Sequence, residues 1–220
     1  MGYNQFMKAR FKHRKIEERV VVAEFECEGG FVFHPGQYIQ IVLANGDKRY
    51  FSITNSPNEK SIIRIATRPG DSAFKKDLLG MKEGTEVAIN GPWGDLDLPK
   101  DKARPLIFIA GGIGITPFLS MVTFAEEEKW PTEIDFLRFD SDEPIFREEI
   151  QALADRYKNL KVHYFSIRAD TDALRPFFKP DAKQMFLLAG PTGFVNSVFE
   201  ILRGIGVEPR NIAFESFTGY

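Results

Sequence analysis

An uncharged run, PLIFIAGGIGITPFLSMV at residues 105–122, limits the possible folds more than any other stretch. It is about long enough to cross a bilayer as a helix. Three glycines and a proline at its centre suit a plain span poorly, but they fall where a strand, a turn and a helix need them. PLIFIA (105–110) is an unbroken apolar run, the pattern of a parallel strand covered on both faces. GGIGITP (111–117) then turns the backbone, and a helix is expected from Pro117 to about Lys129. Thr116 is placed to cap that helix and Pro117 suits its first turn. A helix start of this kind offers N–H groups and a partial positive charge to a pyrophosphate. A purely structural turn has the same pattern, and Pro117 stands where the dinucleotide fingerprint G-x-G-x-x-G has its third glycine.

The residues that follow extend the alternation. Strands are expected at 133–139, 161–167, 183–190 and 211–215, and helices at 144–157 and 193–206. Strands alternating with helices imply a parallel sheet covered on both faces. AGPTGF (189–194) repeats the strand–glycine turn–helix arrangement after MFLL. Two such turns at the carboxyl ends of parallel strands mark the edge where these sheets bind ligands.

The first half has another rhythm. RVVVAEFEC (19–27), GQYIQIVLA (36–44), RYFSIT (49–54), SIIRIATR (61–68) and TEVAING (85–91) are short and rich in branched and aromatic residues. Turn signals such as ANGD (44–47) separate them, as in a small antiparallel barrel. One short helix is expected within 72–84, with Ser72 as its N-cap. The polar, proline-flanked LPKDKARP (98–105) is the expected boundary, giving domains at 1–102 and 103–220.

Composition excludes several classes. Lys plus Arg is 29 against 31 Asp plus Glu, a net charge of −2 that argues against a general nucleic-acid binder. The one cysteine, Cys27, cannot form an internal disulfide or hold an iron–sulfur cluster. The histidines His13, His34 and His163 show no metal-ligand spacing, so no metal is expected. The beginning MGYNQFMKARFKHRK lacks the apolar stretch of a secretion signal, and a cytoplasmic protein without a membrane span is expected.

RYFSITNSP (49–57) puts an arginine, two aromatics, a serine and a threonine in one strand. Alternation sends Arg49 and Phe51 to one face, suited to a phosphate and a flat ring, and Ser52 to the other. RPGDSAF (68–74) offers a second anion turn at the start of the short helix. A half-exposed strand with an ion pair and a plain capping turn are the simpler readings of these two stretches.

In order, HPGQY (34–38), RYFS, RPGDS, GPWG (91–94), GGIGITP, AGPTGF and FESF (214–217) span nearly the whole chain. This ordered set resembles the ferredoxin–NADP reductase superfamily of flavin- and nicotinamide-dependent electron-transfer proteins. The resemblance implies a six-stranded antiparallel FAD-binding barrel followed by a Rossmann-like NAD(P)-binding domain. It implies that Arg49 holds the flavin phosphates, that Phe51 lies against the isoalloxazine in place of the usual tyrosine, and that Ser52 lies near the flavin N5. Gly70 and Ser72 match the FAD pyrophosphate turn, and Tyr50, Ile65 and Thr67 complete the flavin contacts. Thr116 matches a residue between flavin and nicotinamide, while Gly111, Gly112, Gly114, Gly190 and Pro191 would face the nicotinamide nucleotide. Glu215, Phe217 and Tyr220 resemble the tail beside the flavin, with Ser52 and Glu215 as the catalytic pair. Ala189 stands where many members carry a cysteine.

The implied reaction is hydride transfer from NAD(P)H to bound FAD, with electrons passed to a separate acceptor such as ferredoxin, flavodoxin or a small molecule. A free-flavin reductase and a non-catalytic flavin-binding module are the alternatives. The basic run KARFKHRK (8–15) would suit an acidic carrier, or is simply a solvated strand. Arg138, Arg147 and Arg168 are available to a 2′-phosphate, and the acids of FLRFDSDE (136–143) to a ribose hydroxyl, leaving NADH and NADPH both open.

Overall fold

The computed structural model describes residues 5–17, 19–166, 168–179 and 183–217. The chain forms two compact units, Met1–Asp97 with Thr116–Phe124, and Leu98–Ile115 with Ala125–Tyr220. The units divide at Asp97 and Leu98, and the first nine residues of the helix after the glycine turn group with the first unit.

The first unit is a six-stranded antiparallel sheet made of β1 (Gln5–Glu17), β2 (Val20–Glu26), β3 (Tyr38–Val42), β4 (Lys48–Ser52), β5 (Ile62–Thr67) and β6 (Glu86–Trp93). Its order is β4-β3-β6-β1-β2-β5. The ends meet beyond β4, where the Thr54 N–H donates to Arg64 O at 2.9 Å and closes the barrel. Alternation explains the strands. Ala23 and Phe25 of β2, Ile39 and Ile41 of β3 and Ile63 and Ile65 of β5 point inward and are fully buried. Each large apolar side chain buried this way contributes about 1.5–3 kcal/mol. Cys27 is buried in this core; desolvation, then the charge of Glu26, pushes its thiol up to about 12. The helix α1 (Ala73–Gly80) covers one side through Phe74 and Leu78, one turn apart.

The basic run lies in β1, with Ala9 and Phe11 inward and its charged residues outward. Part of it lies beside acidic side chains. Lys8 pairs with Glu86 at 3.2 Å, Arg10 with Glu28 at 2.6 Å and His13 with Glu24 at 3.7 Å. Arg14 donates to Met81 O at 2.8 Å.

The second unit is a five-stranded parallel sheet: β7 (Leu106–Gly111), β8 (Ile134–Phe139), β9 (Leu160–Phe165), β10 (Met185–Pro191) and β11 (Ile212–Phe217). Its helices include α3 (Arg147–Arg156), α4 (Thr171–Leu174) and α5 (Thr192–Gly204). The order is β11-β10-β7-β8-β9, so the direction of winding reverses between β7 and β10. One face packs on α4 and α5 through Ile107, Ile109, Leu188, Val195 and Leu202. The long apolar run therefore becomes β7, a 3-10 turn at Gly112–Ile115 and the start of α2 (Thr116–Glu127). Among the described residues no helix is long and apolar enough to cross a membrane.

Candidate functional site

On the barrel, the pairing of β3 with β4 fixes which way each residue of RYFS points. Arg49 stands opposite Ile41 and Phe51 opposite Ile39, so both lie on the side of the core isoleucines. Phe51 is half-buried, packed on the core and 5.6 Å from the Phe74 ring of α1. The exposed guanidinium of Arg49 sits 5.8 Å from the same ring. Arg49 and the start of α1 thus share one side of the barrel. Ser72 caps α1, its side chain accepting from the Lys75 N–H at 3.4 Å, as the sequence predicts. The Lys75 side chain folds over Gly70, where an added Cβ would meet Nζ at 3.2 Å. An arginine fork, a lysine and a helix start on one side make a setting for phosphate oxygens. Lys75 escapes sequence reading because its direction depends on the cap three residues earlier.

The opposite face of the same strands carries Tyr50, Tyr38 and Trp93, whose ring centroids lie 5.9–6.1 Å apart. Tyr50, 62% exposed, is the solvent-facing aromatic of β4. Ser52, opposite Tyr38, is buried, as is Thr67. Ile65 is fully buried in the barrel core.

In the second unit the two glycine turns lie side by side at the carboxyl ends of β7 and β10, where the winding reverses. Their glycines serve this mutual contact. A Cβ on Gly114 would come 2.1 Å from Ala189 O, and one on Gly190 3.0 Å from Gly111 O. A Cβ on Gly111 would press within 2.7 Å of the Phe194 ring. Gly112 adopts φ 55°, a left-handed turn that glycine takes without strain. Thr116 is the first residue of α2 rather than a cap outside it, because the 3-10 turn runs directly into the helix.

Pairing across the sheet sets Glu215, Ala189, Ala110, Arg138 and Tyr164 in one row. Burial pushes the Glu215 carboxyl up to about 7, and among the described residues its buried Oε2 has no hydrogen-bond partner. A carboxyl of this kind is available both to hold and to give up a proton near neutral pH. Ala189 is fully buried beside it. Phe217 ends β11 opposite Pro191, and Tyr220 lies outside the described residues. Arg138 departs from the surface role open to it in the sequence. It is fully buried, donating to Asp140 at 2.9 Å and to Ile145 O at 3.1 Å. Arg147 and Arg168 are exposed, and Arg147 stacks 5.0 Å from the Tyr164 ring.

An antiparallel barrel with an arginine near the capped start of α1, followed by a parallel sheet with two glycine turns at its switch point, is the two-unit architecture that the ordered motifs imply. Residues 108–199 match the family described as Oxidoreductase NAD-binding domain. Flavohemoprotein A of Dictyostelium discoideum is 27% identical over 236 residues, covering 93% of this chain and 58% of that protein. The chain therefore spans somewhat more than half the length of such relatives. Among solved structures, the Amycolatopsis cytochrome P450 reductase superposes with a TM-score of 0.86 at 20% identity, over 100% of this chain and 72% of that one. The flavohemoglobin of Malassezia yamatoensis, solved with FAD and heme, gives 0.82 at 25% identity, over 97% and 60%. The family match lies in the parallel-sheet half of the chain, and the superposed structures share its two-unit fold.

Proposed function

We propose that the chain takes a hydride from NAD(P)H onto FAD and passes the electrons to an acceptor outside it. The observation that carries this reading is the pair of glycine turns packed at the switch point of the second sheet, with the Glu215 carboxyl in the adjoining row. FAD, when bound, supplies the chemistry of accepting a hydride and releasing electrons. The chain supplies binding, orientation and a proton store.

Arg49, Lys75 and the Ser72-capped start of α1 hold the FAD phosphates through charge-assisted hydrogen bonds. Phe51 gives an apolar ring surface and Ser52 a hydroxyl at the end of the same strand. The backbone of Gly111–Gly114 and Gly190–Pro191 receives the nicotinamide nucleotide. Glu215, protonated below about pH 7, donates a hydrogen bond at the carboxyl end of β11. The acceptor is a redox protein or domain. The names of the relatives direct attention to heme proteins as much as to ferredoxin or flavodoxin. The paired charges of β1 lend no particular support to an acidic carrier docking there.

Ala189 supports one rival reading, a flavin-binding module without turnover, because it offers no thiol beside the reacting centre. Anaerobic mixing of the FAD-loaded protein with NADH or NADPH separates the two. Bleaching within seconds is expected; a flavin that stays oxidised for minutes with both coenzymes supports the module. Failure to take up FAD at all refutes both.

A further inference from the structure

We infer that Ser120 is a positioning residue for this reaction, acting through Thr116 and Ser52; the inference rests on the functional reading above. Ser120 lies in α2, one turn beyond Thr116, and both residues belong to the first unit. Its hydroxyl donates to Asn55 O at 2.7 Å, and neither residue is more than 1% exposed. A serine inside a helix commonly bonds the carbonyl four residues earlier. This hydroxyl is instead directed out of the helix, to a carbonyl three residues past Ser52.

That carbonyl is part of a fixed frame. The Asn55 side chain donates to Ile62 O at 2.9 Å and accepts from the Arg64 N–H at 2.8 Å, bridging the end of β4 to β5. The residue after Ser120 is fixed as well. Met121 Cε and Leu96 O fill the space over Gly36, each 2.3 Å from where a Cβ would stand, and Gly36 holds φ +99°. Residues four apart share a helix face, so the face that bonds Asn55 also carries Thr116, about 6 Å along the axis. The start of α2 is thereby registered to the end of β4. In a reaction governed by approach geometry, a displacement of about 1 Å costs up to 100-fold in rate.

Ser120→Ala, Ser120→Thr and Ser120→Cys test this. Each is checked first for FAD uptake, then mixed anaerobically with saturating NADH or NADPH. The expected result for Ser120→Ala is a bleaching rate per bound flavin lower by about 10- to 100-fold. FAD content and half-saturating coenzyme should change by less than about twofold, since Ser120 touches neither in this reading. Ser120→Thr, which keeps the donor, recovers most of the rate, and Ser120→Cys, a weak donor of similar size, recovers little. A readout independent of activity is hydrogen exchange in the FAD-free protein, where Ser120→Ala should speed exchange over 53–57 and 116–124. A parental rate in Ser120→Ala, an equal loss in the Ala and Thr variants, or unchanged exchange overturns the inference. A parent that binds FAD but is not bleached refutes the functional reading itself, and this inference with it.

Discussion

Arg49 and Glu215 make the residue-scale case. Arg49 is exposed yet placed beside the cap of α1, an expenditure of charge that folding alone does not require. A hydrogen bond to a charged group contributes about 1.5–3 kcal/mol. Arg49→Ala should therefore weaken FAD binding by roughly 10- to 150-fold, measured by fluorescence titration, with little change in stability. Glu215 has the opposite character, a buried carboxyl raised from 4.5 to about 7. The folded chain keeps a proton there that the unfolded chain releases, so the stability tied to this group falls as pH rises from about 4.5 to 7 and is level above. Glu215→Gln removes that dependence. Thermal unfolding should give similar stabilities for parent and variant near pH 4.5, and a variant more stable by about 1–3 kcal/mol at pH 8.

At the scale of elements, the glycine turns form a joint between β7 and β10. The Gly114 position has no space for a methyl group, because Ala189 O occupies it. Gly114→Ala should cost about 3 kcal/mol or more in denaturant unfolding, by forcing the β7 and β10 turns apart. Gly193, in the first turn of α5, has nothing within 4 Å of an added Cβ. Gly193→Ala should be neutral or stabilising by up to about 1 kcal/mol. If both substitutions behaved alike, the joint between the turns would not exist as described.

Across the whole molecule, the sequence disclosed the elements best where one face is buried. The alternation in 36–44 and 61–68 located β3 and β5, and the apolar run 105–110 located β7. The switch point followed from two glycine turns after apolar strands. Three features were not legible, each for a physical reason. The inward Ala9 and Phe11 of β1 are masked in sequence by the outward Lys and Arg between them. Asn55 looks like a surface turn residue, yet it is buried because its side chain replaces strand bonds between β4 and β5. Arg138 looks solvent-facing, and only the folded chain brings Asp140 and Ile145 O to it. The candidate flavin residues came from an ordered set of motifs, and motif order alone does not separate inward from outward positions on β5, where Ile65 is fully buried.

The central claim is that this fold carries a hydride from a nicotinamide to a flavin, and isotopic labelling tests it most directly. FAD-loaded protein would be mixed anaerobically with NADH and NADPH deuterated on one face of C4 or the other. The account predicts loss of the visible flavin band, slowed by deuterium on one face only, with the label leaving the coenzyme from that face. A flavin band unchanged by excess of both coenzymes, or bleaching that leaves the label in place whichever face carries it, would contradict it.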